Sequence, residues 1–221
     1  MIRILSTMAT YETTITAVKA ACTAVNLTYT RSGAGHDGRL ESAAKEGPYL
    51  AALKTQLEAG GHTVEIAPPR FWYDVRINAI PFNLKLTECA SADNVFDKVS
   101  IHYSICGVET TKKNMNINDW WAGIMSAARK AERDKATEYH FIVVNKKTGA
   151  ALVKSLIDIH SYKKNPCNIL QIAWANEFAH AEYVAADYKA KVAELLGTIR
   201  ASLAQRRASE EAFMTADFSS L

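Results

Sequence analysis

The sequence predicts an α/β fold in which a central mixed β-sheet is flanked by helices. Three observations predict it. Helix-spaced segments stand at both ends of the chain, at 9–25, 39–59 and 181–212. Short runs rich in β-branched and aromatic residues lie between them, bounded by turn residues. A further helical stretch, 117–133, interrupts those runs, and helices alternating with strands are the pattern of a sheet with parallel pairs. With 221 residues, 48% of them hydrophobic and 22% charged, the chain can bury a sizeable core. No internal repeat divides it, so a single domain over 1–221 is expected, with a helical part at 1–30, a core at about 36–178 and a long closing helix at about 181–212.

The first helix, 9–25, is rich in Ala and Thr, and the Gly-rich TRSGAGHDG (30–38) reads as a mobile loop. The second helix places Leu50, Leu53 and Leu57 on one face. Pro48 lacks an amide donor and should kink or split it, and Gly60-Gly61 should stop it. HTVEIA (62–67), FWYDVRI (71–77), PFNLKLTE (81–88) and VSIHYSICG (99–107) read as strands. In 117–133, Asn118 is the expected N-cap. EYHFIVVNKKTG (138–149) reads as a buried strand ending in a turn, and ALVKSLIDI (151–159) as a strand or short helix. The last helix carries Val184, Tyr188, Val192, Leu195, Ile199 and Leu203 in one stripe, which suits core packing with a share left for a dimer seam.

Several classes of function are disfavoured at once. No apolar run reaches the roughly 18 residues of a membrane span. The opening MIRILSTMATYETTITAVKAAC lacks the apolar core of a secretory signal, while its scarcity of acids leaves a transit peptide open. Cys22, Cys89, Cys106 and Cys167 are scattered without a CxxC pair, which points to a reducing compartment without structural zinc or a disulfide framework. The net charge of +3 permits a polyanionic partner without requiring one.

The chemistry concentrates in one hairpin. If FWYDVRI and PFNLKLTE pair around a two-residue loop at Asn78-Ala79, Ile77 meets Ile80, Arg76 meets Pro81 and Asp74 stands opposite Asn83. Lys85 lies two positions on, on the same face, while Tyr73, Val75, Phe82, Leu84 and Leu86 point into a core. A hard cation such as Mg²⁺ takes oxygen ligands: the Asp74 carboxylate, the Asn83 side-chain carbonyl and the Leu84 backbone carbonyl are the candidates. Lys85 would stand beside an attacking water and counter charge building on phosphorus. Asn83 leaves such a site one negative charge short, so a further acid is expected, with Glu46 first and Glu88 and Glu65 after it. Spacing alone leaves the bland alternative open, a half-exposed hairpin with an Asp–Lys surface pair worth under ~1 kcal/mol.

PFNLKLTECASADN (81–94) resembles the catalytic strand of type II restriction endonucleases of the PD-(D/E)xK nuclease superfamily. GRLESAAKE (38–46) resembles the helix that precedes that hairpin, and YHFIVVNKKTG with NPCNILQIAW (165–174) resembles later strand and loop segments. The resemblance covers about residues 36–178. It implies a restriction-endonuclease-like fold and Mg²⁺-dependent hydrolysis of double-stranded DNA, with Asp74 as metal-binding aspartate, Lys85 as catalytic lysine and Glu46 as the assisting glutamate. Asn83 departs from the usual Asp or Glu, which keeps a non-catalytic DNA-binding protein on the same fold as the alternative.

Further expectations follow from that resemblance. Ser91, Asp93, Asn94 and Lys98, in the polar stretch after the catalytic strand, are candidates for DNA contact, although Asp and Asn also favour plain turns. Lys112, Lys113 and Asn114 suit phosphate and adenine contacts, or a solvated loop. Asn165, Asn168 and Gln171 are candidate base readers, though Asn-Pro also initiates turns. Of Trp120 and Trp121, which cannot share a helix face, one is expected in the core. The expected setting is the prokaryotic cytoplasm. The expected partners are double-stranded DNA, a second copy of the chain and, genetically, a cognate DNA methyltransferase.

Overall fold

The computed structural model describes residues 2–25, 38–110, 116–125 and 132–216. The expected loop at 30–38 and the end of the helix predicted to reach 133 fall largely outside those residues. The fold is α/β, with helices flanking a mixed sheet of five strands and a second sheet of three. The chain divides into two compact units: Met1–Ala90 with Asp97–Asp158, and Ser91–Phe96 with Ile159–Leu221.

The first unit opens with helices α1 (Ile2–Ala24) and α2 (Gly38–Ala59). Its strands are β1 (Val64–Ile66), β2 (Val75–Ile77), β3 (Ile80–Thr87), β5 (His140–Asn145) and β6 (Ala151–Ser155), in the order β1-β2-β3-β5-β6. All neighbours are antiparallel except β3 and β5, which run parallel, so β3 is the central strand and the chain must cross over to reach β5. That crossover contains α3 (Lys98–Cys106) and α4 (Ile117–Met125). Alternation along β3 sends Phe82, Leu84 and Leu86 into a core with Val18 of α1 and Leu50, Leu53 and Leu57 of α2. Asn83 and Lys85 face the other way and share that face with Phe141 and Val143 of β5, their partners in register.

Three expectations are corrected. α2 runs through Pro48 as one helix rather than splitting there. VSIHYSICG is not a strand but α3. Asp97 caps it by accepting the Ser100 N–H, and Gly107 ends it at φ 74 with its N–H donating to the Tyr103 carbonyl. Every residue from Val99 to Cys106 is buried, so no polar face existed to betray the helical period. In α4 the capping side chain is Asn116, whose Oδ1 accepts the N–H groups of Asn118 and Asp119, rather than Asn118. Trp120 is buried with its indole N–H on the Lys98 carbonyl, whereas Trp121 is 46% exposed.

The second unit holds β4 (Asp93–Asn94), β7 (Lys163–Asn165) and β8 (Ile169–Ile172) in the order β4-β8-β7, followed by α5 (Trp174–Ala179) and α6 (Tyr188–Met214). Asp187 caps α6, about two turns later than the predicted start at 181. Val192, Leu195 and Ile199 of its stripe are buried, while Val184 lies before the helix and is exposed.

The hairpin between β2 and β3 has the expected register: Ile77 with Ile80, Arg76 with Pro81 and Val75 with Phe82. Its two loop residues, Asn78 (φ 47) and Ala79 (φ 70), both take the left-handed conformation that a type I′ turn needs. Asn78 fits this well. Its backbone N–H reaches the Thr63 carbonyl, its Oδ1 accepts the Thr63 N–H, and its amide donates to Thr14 Oγ1 of α1 at 2.9 Å. Ala79 has no such compensation, and a Cβ in this conformation costs about 1–2 kcal/mol. Ala79→Gly should therefore raise stability by about 1 kcal/mol, read as a higher denaturant midpoint at unchanged slope.

Candidate functional site

The strand that precedes the turn is shorter than FWYDVRI suggests. Phe71–Asp74 leave the ladder, and Tyr73 joins an aromatic cluster with Phe71 and Trp72 instead of the α1–α2 core. Asp74 consequently does not pair squarely with Asn83. Its backbone N–H donates to the Phe82 carbonyl at 2.9 Å, and its Oδ2 accepts the Leu84 N–H at 2.7 Å. Asp74 thus straddles Asn83, bonded to the residue on each side of it. The carboxylate has taken the place of a backbone acceptor, which is why the ladder stops at Val75 and why this side chain has a single fixed position. In an extended strand the N–H and C=O of one residue leave on the same side. The Leu84 carbonyl is therefore directed toward Asp74 as well.

Glu46 reaches this place from the N-terminal half of α2. It and Asp74 are half-buried, and both carboxyls are pushed above the ordinary carboxylate range. For Glu46 the causes are loss of water and then the negative field of Asp74, opposed by Lys85. For Asp74 burial dominates, opposed by the Leu84 hydrogen bond and the Lys85 ammonium. Glu46, Asp74 and Lys85 are thus electrostatic neighbours. The other two acids considered lie elsewhere: Glu88 pairs with Lys147 at 3.4 Å, and Glu65 of β1 bonds Tyr73.

Asn83 lies between Phe82 and Leu84, the two residues that Asp74 bonds. Its Oδ1 is buried with no hydrogen-bond partner among the described residues. A buried carbonyl without a donor is destabilising by about 1–3 kcal/mol unless something else satisfies it. Two like carboxylates pushed toward protonation have the same need. A hard cation would satisfy both, and every candidate atom here is an oxygen, so the residues present fit Mg²⁺. Among the described residues there is no group of three or more His, Cys, Asp or Glu that could hold a metal ion.

The proposed DNA-contacting residues are distributed as follows. Ser91, Asp93 and Asn94 belong to the second unit, where Asp93 and Asn94 form β4. Lys98 begins α3 in the first unit. Lys112, Lys113 and Asn114 lie outside the described residues. Asn165 accepts the N–H groups of Cys167 and Asn168 in the turn between β7 and β8, and its amide donates to Gln171. Gln171 in turn donates to Asn94 at 2.7 Å. The side chains of Asn165, Gln171 and Asn94 thus form one chain of amide bonds, and Asn168 is exposed. Sequence reasoning missed that these three amides bond one another, because their strands meet only in the second sheet.

Compared with known proteins, the chain matches no protein-family model and no curated protein.

The two raised carboxyls set a direction for stability. A carboxyl whose pKa is higher in the folded than in the unfolded chain favours folding below the ordinary value. That contribution is lost as pH rises through the folded value. Without divalent cations the protein should lose stability as pH climbs out of the carboxylate range. Glu46→Gln should therefore melt higher than the native protein at about pH 8, with the gap closing at about pH 4. Equal melting curves at both pH values would contradict the site as described.

Proposed function

We propose that the protein is a Mg²⁺-dependent endonuclease acting on double-stranded DNA at specific sequences, a restriction-endonuclease-like enzyme with its cation site at Glu46, Asp74, Asn83 and the Leu84 carbonyl. The observation that carries the proposal is the electrostatic influence of Asp74 and Lys85 on Glu46 and of Lys85 on Asp74, with a buried Asn83 carbonyl that has no donor on the strand Asp74 bonds. When bound, Mg²⁺ supplies Lewis acidity, withdrawing charge from the scissile phosphate and lowering the pKa of an attacking water.

The chain's own residues do the rest. Asp74 is held in one rotamer by the Leu84 amide and offers its second oxygen to the site. Glu46 adds the second negative charge. Lys85 stands on β3 two residues beyond Asn83, on the same face of a central strand with neighbours on both sides. Its ammonium acts on both the Glu46 and the Asp74 carboxyls, and on this reading it faces a phosphate oxygen and the incoming water. Rigid placement on the sheet lets an ammonium stabilise charge that develops only in the transition state.

The wider setting belongs to the same proposal. A second copy of the chain would match a two-fold symmetric DNA site, a methyltransferase encoded nearby would protect host DNA, and the prokaryotic cytoplasm would be the compartment. Ser91, Asp93, Asn94, Lys98, Asn165, Asn168 and Gln171 are proposed DNA contacts, with Lys112, Lys113 and Asn114 beside them in sequence terms only. No helix among the described residues is long and apolar enough to cross a membrane.

One observation favours a second reading. With only two acids, the site suits a DNA-binding protein on the same fold that has lost its chemistry. Native protein with Mg²⁺ and phage DNA should give discrete fragments, and Lys85→Ala should lower the cleavage rate by about 10²-fold or more while DNA binding persists. Binding without cleavage, with cutting gained by Asn83→Asp, would establish the second reading instead.

A further inference from the structure

An amide side chain carries an acceptor and a donor of nearly the same size, so it discriminates only where something fixes which end points where. In the second unit a single turn fixes three amides. Between β7 and β8 the Asn165 Oδ1 accepts the N–H groups of Cys167 and Asn168, both at 2.9 Å. The Asn165 NH₂ end is left to donate to Gln171 Oε1 at 3.1 Å. Gln171 must then turn its own NH₂ end the other way, and it donates to Asn94 Oδ1 at 2.7 Å. The polarity set by two backbone N–H groups thus passes from β7 through β8 to β4.

Gln171 is the middle member, and what it has left to offer is specific. An amide oxygen can accept twice and an amide nitrogen can donate twice. Asn165 and Asn94 come from strands on opposite sides of β8, and each takes one of those positions. One lone pair and one N–H remain, side by side on the edge between the two flanking bonds. Gln171 alternates with Leu170 and Ile172, which are fully buried, so its side chain leaves the sheet on the opposite face. Lys163, Gln171 and Asn94 are partners in register and form one row across the three strands. That row contains a lysine and no acid, and Lys163, Lys164 and Asn94 are exposed, a charge balance that suits a polyanion. Adenine alone among the bases presents an N–H donor next to an acceptor nitrogen in the major groove, whereas guanine presents two acceptors there. The groove also admits a two-stranded ribbon such as β7 and β8.

We propose that Gln171 reads an adenine in the major groove of double-stranded DNA, its oxygen accepting from N6 and its N–H donating to N7, with Asn165 as the positioning residue that sets which end is which. This rests on the sequence-specific DNA binding proposed above and adds to it the base and the residue that reads it.

The test is selection of duplexes from a random-sequence pool by native protein, with Ca²⁺ in place of Mg²⁺ to keep the DNA uncut. An enriched motif with at least one fixed adenine is expected. Replacing each fixed adenine in turn by 7-deazaadenine removes only its N7 acceptor, and at one position this should weaken native binding by about fivefold. At that position Gln171→Ala should bind the two duplexes alike, within about twofold, because the partner of N7 is already gone. Asn165→Asp keeps the acceptor that the turn needs and removes the donor that orients Gln171, so it should lose the preference and still fold. The ratio between the two duplexes is read, which uniform repulsion by the new charge does not move. A motif without adenine, an effect equal in native protein and Gln171→Ala, or the native ratio in Asn165→Asp would overturn the inference while leaving sequence-specific binding standing. Absence of any enriched motif would overturn that reading and the inference together. Should Gln171→Ala fail to fold, the ratio in Asn165→Asp decides alone.

Discussion

The hydrogen bond from the Leu84 amide to the Asp74 carboxylate organises the first unit's chemistry. It ends the β2–β3 ladder one residue early, and by doing so it frees a carboxylate to act as a strand-edge acceptor. A side chain in that role cannot rotate away without leaving a buried N–H unpaired, which costs about 1–3 kcal/mol. The backbone and the carboxylate of Asp74 grip the neighbours of Asn83 on both sides, so the three oxygen-bearing groups move with the central strand. Glu46 and Lys85 matter only because this place is fixed.

The charge balance follows from the same geometry. Burial pushes both carboxyls toward protonation, Asp74 adds to that push on Glu46, and Lys85 only partly opposes it, so the three groups together carry one surplus formal negative charge. A divalent cation reverses the sign of that surplus. On the proposed reading, a site that turned positive on loading would suit a phosphodiester, because it would recruit the anion only once the Lewis acid was in place. On the same reading, an asparagine in place of a third acid would make that reversal sharper, at the expense of a weaker hold on the cation.

Much of this was legible in the residues. The α/β class, the turn at Asn78-Ala79, the hairpin register and the burial of Phe82, Leu84 and Leu86 all follow from alternation and turn chemistry. Glu46 was named for the charge that Asn83 lacks and from the resemblance, and α2, which bears it, runs on through Pro48. Other features were hidden for physical reasons. α3 is buried on every side, so its periodicity is silent, and only Asp97 and Gly107 at its ends signal a helix. The one-residue shift at Asp74 depends on a side chain replacing a backbone acceptor, which no pairing rule anticipates. Asn83 and Phe141 are neighbours only because the sheet order skips from β3 to β5. The amide chain of Asn94, Gln171 and Asn165 likewise needs the second sheet to exist before it can be seen.

Anomalous scattering from crystals soaked in Mn²⁺, a spectroscopic stand-in for Mg²⁺, tests the central claim most directly. A peak within coordination distance of Asp74, Glu46 and the Asn83 side-chain carbonyl is the expected result. Crystals in which those side chains are ordered and the metal signal is absent from between them would contradict the account.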